Sequence, residues 1–260
     1  LAWMKNQRTI RYFSMGLTAV LCCVPLLAFG QDASGPAVDI QINAGDGREW
    51  VAAIKVFGML ALLTVAPSIV MSVTSFTRII VVLGLLRHAV GVQQLPPSKV
   101  IVGTSLFLTA FTMGPVWQQI NTQAIVPYEN GEIQGAEAAE LALSPIREFM
   151  FAHTHSADLE LFIGLSNVPE PETVEDIPTL TLVPAFMLSE LKTAFQMGAM
   201  LFLPFLVIDL VVASVLMSMG MMMLPPVMVS LPIKLFVFVL ADGWGLVVQA
   251  LAESVMLSTA

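Results

Sequence analysis

Charge is what this chain has least of. Only 12% of its 260 residues are Asp, Glu, Lys or Arg, against 57% hydrophobic. A soluble domain carries about twice that charge, so the composition excludes an ordinary soluble domain and points to an integral membrane protein. Basic residues are few, 11 Lys and Arg in all. No basic face exists on which a nucleic acid could lie. Cysteine is almost missing: Cys22 and Cys23 are adjacent and lie in the first apolar run. Adjacent thiols make neither a disulfide framework nor a metal site. Catalytic signatures are missing too. There is no Gly-rich phosphate loop, no nucleophile elbow and no zinc spacing. Ser75 and Thr77 have no recognisable base. His153-Thr154-His155 is an isolated pair without further ligands, which a surface helix pair accounts for better than a metal. The expectation is a chain that is no enzyme and holds no cofactor and no metal.

What is present is a succession of apolar runs with distinct punctuation. Lys5, Arg8 and Arg11 precede the short apolar run Met15 to Phe29, and Ala28-Phe29-Gly30 supplies small residues at its end. This reads as a signal peptide over 1–30 with Met4 as initiator; a full span would need about 20 residues. A polar exported linker follows at 31–49. The run from Trp50 to Ser75 contains Pro67, a kinking residue. Arg78, Arg87, His88 and Lys99 surround Ile79 to Leu86 with no acid among them. Arg78, Arg87 and Lys99 therefore mark the cytoplasmic side. Leu95-Pro96-Pro97 opens a second run, Val100 to Trp117, and the same spelling recurs at Leu224-Pro225-Pro226.

From Asn121 to Pro178 the material changes. Eleven acids, from Glu129 to Asp176, face the single base Arg147. Ala136 to Leu143 and Pro145 to Leu165 have helical, amphipathic patterns. Acid-rich and base-poor, this segment suits the far side of the membrane. Leu182 to Met217 then forms an apolar stretch longer than one span needs, with Glu190 and Lys192 near its start, Pro204 inside and Asp209 in the middle of Phe205 to Leu216. The last run, Val227 to Val255, carries Lys234, Asp242 and Glu253. An ionised group at mid-bilayer costs on the order of 2.5–3.5 kcal/mol, so these charges must face protein or water. Mutually satisfying pairs that hold helices or subunits together explain them better than proton transport. Hydropathy thus gives four spans after signal removal, though Pro67, Pro115, Pro204 and Pro232 make poor simple spans.

The stretch Ser218-Met219-Gly220-Met221-Met222-Met223-Leu224-Pro225-Pro226 separates the last two runs. Gly220 loosens a helix end and the prolines start a new helix. Three successive Met side chains cannot share one helix face, so they read as a short apolar loop. Met is flexible and polarizable and adapts to irregular surfaces. Two readings stand: helix-end residues facing lipid or a neighbour, or a deformable seal lining a pore.

Three long strings carry a family resemblance. Ser75-Phe76-Thr77-Arg78-Ile79-Ile80-Val81-Val82-Leu83 with Leu85-Leu86-Arg87 is similar to the first signature of the FliP family of type III export. Pro184-Ala185-Phe186 with Ser189-Glu190-Leu191-Lys192-Thr193-Ala194-Phe195 is similar to the second. Pro204-Phe205-Leu206-Val207-Ile208-Asp209-Leu210-Val211 through the Met string resembles the third, and Lys234-Leu235 with Asp242-Gly243-Trp244 completes it. The resemblance runs from about Trp50 to Glu253. It implies an all-α, membrane-associated subunit: a first kinked helical hairpin at 50–120, an acidic periplasmic helical segment at 121–181, and a second hairpin with the Met loop at 182–260. It further implies a cone-shaped oligomer of about five copies with FliQ and FliR, aided by FliO and working beside FlhA and FlhB, that passes unfolded flagellar proteins at the inner membrane and flagellar basal body, largely on its periplasmic side. Met221, Met222 and Met223 would be its pore gasket, and Glu190, Asp209 and Lys234 structural or intersubunit charges. The alternatives are an injectisome export subunit of the same family and a small-solute transporter.

Overall fold

The computed structural model describes residues 47–92, 96–166, 173, 176–221 and 224–256, and among them it is helical throughout, without strands. The signal peptide, most of the linker, and Met222 and Met223 lie outside the described residues. The chain divides into two compact units, Leu1–Ser68 and Ile69–Ala260. The described part of the first is a single helix, which continues to Ser72 as α1 (Gly47–Ser72) and has Pro67 inside it. A lone helix cannot bury its own side chains. Phe57 and Met59 are accordingly 74% and 76% exposed, and Ile54–Ser72 is long and apolar enough to cross a membrane.

The second unit is built on two helices, α2 (Phe76–Val90) and α8 (Thr179–Ser218), which share its most extensive contact. Between them run α3 (Ser98–Thr112), α4 (Gly114–Ile120), a π-helical turn at Asn121–Ile125, α5 (Val126–Glu129), α6 (Gly135–Ala152) and α7 (Ser156–Leu165). After them come α9 (Pro226–Leu240) and α10 (Gly243–Met256). The short apolar stretch Ile79 to Leu86, set among the bases read as marking the cytoplasmic side, lies in the most buried helix of the unit. Ile79, Val82, Leu83, Leu86 and Ala89 recur at helical spacing and form one apolar stripe. That stripe meets Ala194 and Phe205 of α8, Phe238 of α9, and Val247 and Leu251 of α10. Gly198 lets α8 approach closely, because a Cβ there would stand 2.2 Å from Leu85 Cδ1. Gly91, at φ 88°, ends α2 in the left-handed conformation that glycine adopts freely. A second core joins Val116 and Ile120 of α4, Phe149 and Met150 of α6, Leu182 and Phe186 of α8, and Val255 of α10.

Two of the four expected spans are broken. α3 and the helix beginning at Gly114 bend by 54°, and α9 and α10 by 64°. The first break has a local cause. Ser105 and Thr109 hydroxyls donate to the carbonyls of Ile101 (2.8 Å) and Ser105 (2.7 Å), and Pro115 then restarts the helix. Such back-bonding bends helices. By length and composition, two helices can cross a membrane, or four if each bent pair counts as one span. In the acidic segment the break falls elsewhere than expected. α6 continues past Pro145 and stops where His153 and Thr154 side chains occupy the carbonyls of Phe149 (2.8 Å) and Met150 (2.6 Å).

Candidate functional site

The second unit gathers its polar side chains at two points on α8. At the first, Arg78 of α2 faces Glu190 of α8. Nε donates to Oε2 at 2.9 Å and Nη2 to Oε1 at 2.5 Å, a bidentate pair. Arg78 is 4% exposed and Glu190 0%. The remaining nitrogen, Nη1, donates to the Ser254 carbonyl (2.8 Å) and hydroxyl (3.3 Å) near the end of α10. One guanidinium thus ties three helices and satisfies a carbonyl that a helix C-terminus leaves open. His153 does similar work from α6: its ring nitrogens lie 2.8 Å from Phe149 O and 3.0 Å from Val255 O.

Beside Glu190, the Ser189 hydroxyl donates to Asp158 of α7 at 2.8 Å and accepts the His155 backbone N–H at 3.0 Å. Lys192 also bonds Asp158, and His155 Nδ1 lies 3.6 Å from it. Burial pushes the Asp158 carboxyl upward. The bonds from Lys192 and Ser189 and the nearby charges of Lys192 and His155 outweigh it, so the group is held below its ordinary value.

The second point lies about a quarter of the way back from the C-terminal end of α8. Lys234 Nζ donates to Asp209 Oδ2 at 2.6 Å and to the Ala89 carbonyl at 3.3 Å, and Ser230 donates to Asp209 Oδ1 at 2.6 Å. Here again a cation closes the C-terminal end of a helix, α2. The Lys234 side chain is 8% exposed, that of Asp209 42%.

The sequence-predicted residues therefore sort as follows. Asp209 and Lys234 come together within the chain. Glu190 does not join them; it pairs with Arg78. That corrects the reading of Arg78 as a base without a compensating acid. The partner lies 112 residues away, beyond any sequence spacing. Arg87 bonds Ser98 at 3.1 Å, and Lys99 is exposed at the start of α3. Glu253 accepts from Gln249 at 2.8 Å, and Asp242 is exposed in the turn before α10. His153 is buried against carbonyls and His155 faces Asp158, and among the described residues no three His, Cys, Asp or Glu side chains gather as metal ligands would. Met221 follows the end of α8, donates its N–H to Leu216 O at 3.0 Å and is 43% exposed. Asp158, Ser189, Ser230 and Ser254 escaped notice as site residues. Asp158 was one acid among eleven, and nothing in its neighbours marks it as the buried one.

The donors and acceptors of these two clusters bond one another and tie α2, α6, α7, α9 and α10 to one another and to the long helix α8.

The sequence model of the FliP family matches residues 59–251. The chain belongs to the FliP family. Among its relatives, the flagellar biosynthetic protein FliP of Bacillus subtilis (strain 168) is 49% identical over 212 residues, 82% of this chain and 96% of that protein. The FliP of Caulobacter vibrioides is 48% identical over 240 residues, 92% of this chain and 88% of its own length. That of Aquifex aeolicus (strain VF5) is 45% identical over 217 residues, 83% and 90%. The FliP match spans α2 through α9 and both polar clusters of α8. It ends at Leu251, just before the Ser254 and Val255 carbonyls that Arg78 and His153 hold.

Proposed function

We propose that this FliP-family chain is a core subunit of the flagellar type III export gate. It assembles in several copies, about five, with FliQ and FliR, and the turn at 218–226 lines the passage for unfolded flagellar proteins. The observation that carries the reading is the near full-length identity to proteins named for flagellar biosynthesis. That same naming favours the flagellum over an injectisome. The geometry supports it in two ways. Apolar side chains along α8 and α9, such as Leu206, Leu210, Phe236 and Val239, are exposed in the single chain and ask for cover by lipid or other subunits. And Met217, Met219 and Met221 are exposed where α8 ends.

A passage for unfolded chains must accept every kind of side chain and still hold back ions. Thioethers suit this because they have no fixed hydrogen-bond geometry and reshape around what passes. Repetition of one turn by rotational symmetry closes a ring without new sequence. On this reading Met221, Met222 and Met223 form the gasket, and Asp209, with its open face, is the intersubunit charge; Glu190, saturated by Arg78, is structural. FliO, FlhA and FlhB are partners in assembly and export at the bacterial inner membrane and basal body. The test has two arms. A mass measurement on the detergent-extracted complex should find a multimer with FliQ and FliR, and a monomer would refute the subunit role. Changing Met221, Met222 and Met223 to Ala should preserve assembly and raise small-ion leakage; unchanged leakage would refute the gasket.

A further inference from the structure

We propose that α9 is a lever. It is hinged at Asp242, fastened to the rest of its unit by one narrow seam, and able to swing away as a body while α10 stays fixed. The hinge is visible in the backbone. Asp242, at φ 49°, is the non-glycine residue that adopts a left-handed conformation among those described, and it stands at the 64° bend between α9 and α10. Aspartate tolerates this region better than most residues but not without strain. The surroundings are cut to fit. A Cβ at Gly243 would lie 2.2 Å from the Phe238 ring, and one at Gly245 would lie 2.5 Å from the Asp242 carboxylate. At the other end Gly220, at φ 74°, separates α8 from the chain leading to α9. Left-handed residues therefore bracket α9 on both sides.

The seam is equally plain. Within α9 the buried residues are Ser230, Lys234 and Phe238, spaced i, i+4, i+8 along one line. Ser230 and Lys234 hold Asp209, Lys234 reaches Ala89 O, and the Phe238 ring lies 6.2 Å from that of Phe205. The rest of the helix surface is largely exposed. Pro232 removes one backbone rung from its middle. α10 is different. Val247, Leu251 and Val255 are buried, and its end is held by Arg78 and His153. One arm is pinned, the other is fastened by a line of three side chains, and a strained joint lies between. Swinging α9 would carry Pro225 and Leu224 with it. The lever is a property of the chain, whatever lines or passes that turn.

Amide hydrogen exchange on the detergent-extracted full-length chain with its co-purifying partners tests this. Lys234→Met cuts two contacts of the seam. Exchange in α9 should then quicken on the order of tenfold or more, with α10 and the first half of α8 unchanged. If Lys234→Met does not fold, Ser230→Ala removes one bond to Asp209 and should give a smaller rise confined to α9. Asp242→Gly leaves the seam intact and frees the joint, so it too should quicken α9 alone. Equal acceleration across α8, α9 and α10 in Lys234→Met or Ser230→Ala overturns the lever, as does no change in α9. No change in Asp242→Gly overturns the hinge.

Discussion

Glu190→Gln is the sharpest probe of how this unit is held together. The substitution keeps size and shape and removes only the charge. Arg78 would then remain 4% exposed with no counter-ion, its Nη1 still bonded to Ser254. Breaking a buried pair by neutralising one partner costs about 3–5 kcal/mol, because the other charge stays buried and uncompensated. That is a large share of a typical domain stability of roughly 5–15 kcal/mol. Replacing both partners, Arg78→Met with Glu190→Leu, removes the uncompensated charge and should recover most of the loss. It would not recover all of it, because the Ser254 carbonyl loses the bond from Arg78 Nη1. Arg78→Lys should fall between, since an ammonium cannot grip Glu190 with two bonds and reach Ser254 as well. Reversible unfolding in mixed detergent micelles measures all three against the parent, and the single variants Arg78→Met and Glu190→Leu complete a double-mutant cycle. If Glu190→Gln unfolds within about 1 kcal/mol of the parent, the pair does not hold three helices and the reasoning fails.

Further outcomes follow from other contacts. Asp158 is held below its ordinary value of 3.8, so its grip on Ser189 and Lys192 contributes stability that is full above that pH and lost as pH falls below it. Amide exchange in α7 should be flat between pH 7 and the carboxylate range, rise only below it, and lose that acid dependence in Asp158→Asn. Gly198→Ala should destabilise by about 1–3 kcal/mol through a clash with Leu85, and Leu85→Ala should rescue it; calorimetry without rescue would point to a cause other than the close helix approach. His153→Phe keeps the ring stacked near Phe149 but drops the contact to Val255 O, and should loosen the end of α10 more than the end of α6, as exchange would register.

Much of the plan was readable in one dimension, for physical reasons. Periodicity and hydropathy are local, so the long apolar α8, the change of material at the acidic segment and the poor quality of the proline-bearing spans could be seen directly. The family strings reached further than periodicity could. What stayed hidden was long-range pairing. Arg78 reads as a topology marker because its carboxylate sits 112 residues on, and the burial of α2 has no signature of its own because its neighbours create it. Pro145 read as a divider, yet the carbonyls taken by His153 and Thr154 decided where α6 ends. Asp158 could not be told from ten other acids until α7 was laid against Ser189.

The forty residues of α8 have a consequence of scale. At 1.5 Å per residue the helix is a rod of about 60 Å, whereas the oily interior of a bilayer is about 30 Å thick. Even well tilted, a rod of that length stands partly clear of the film. Cover for its greasy flank there is a matter of protein packing and not of lipid, a demand that the helices of its own chain already meet in part.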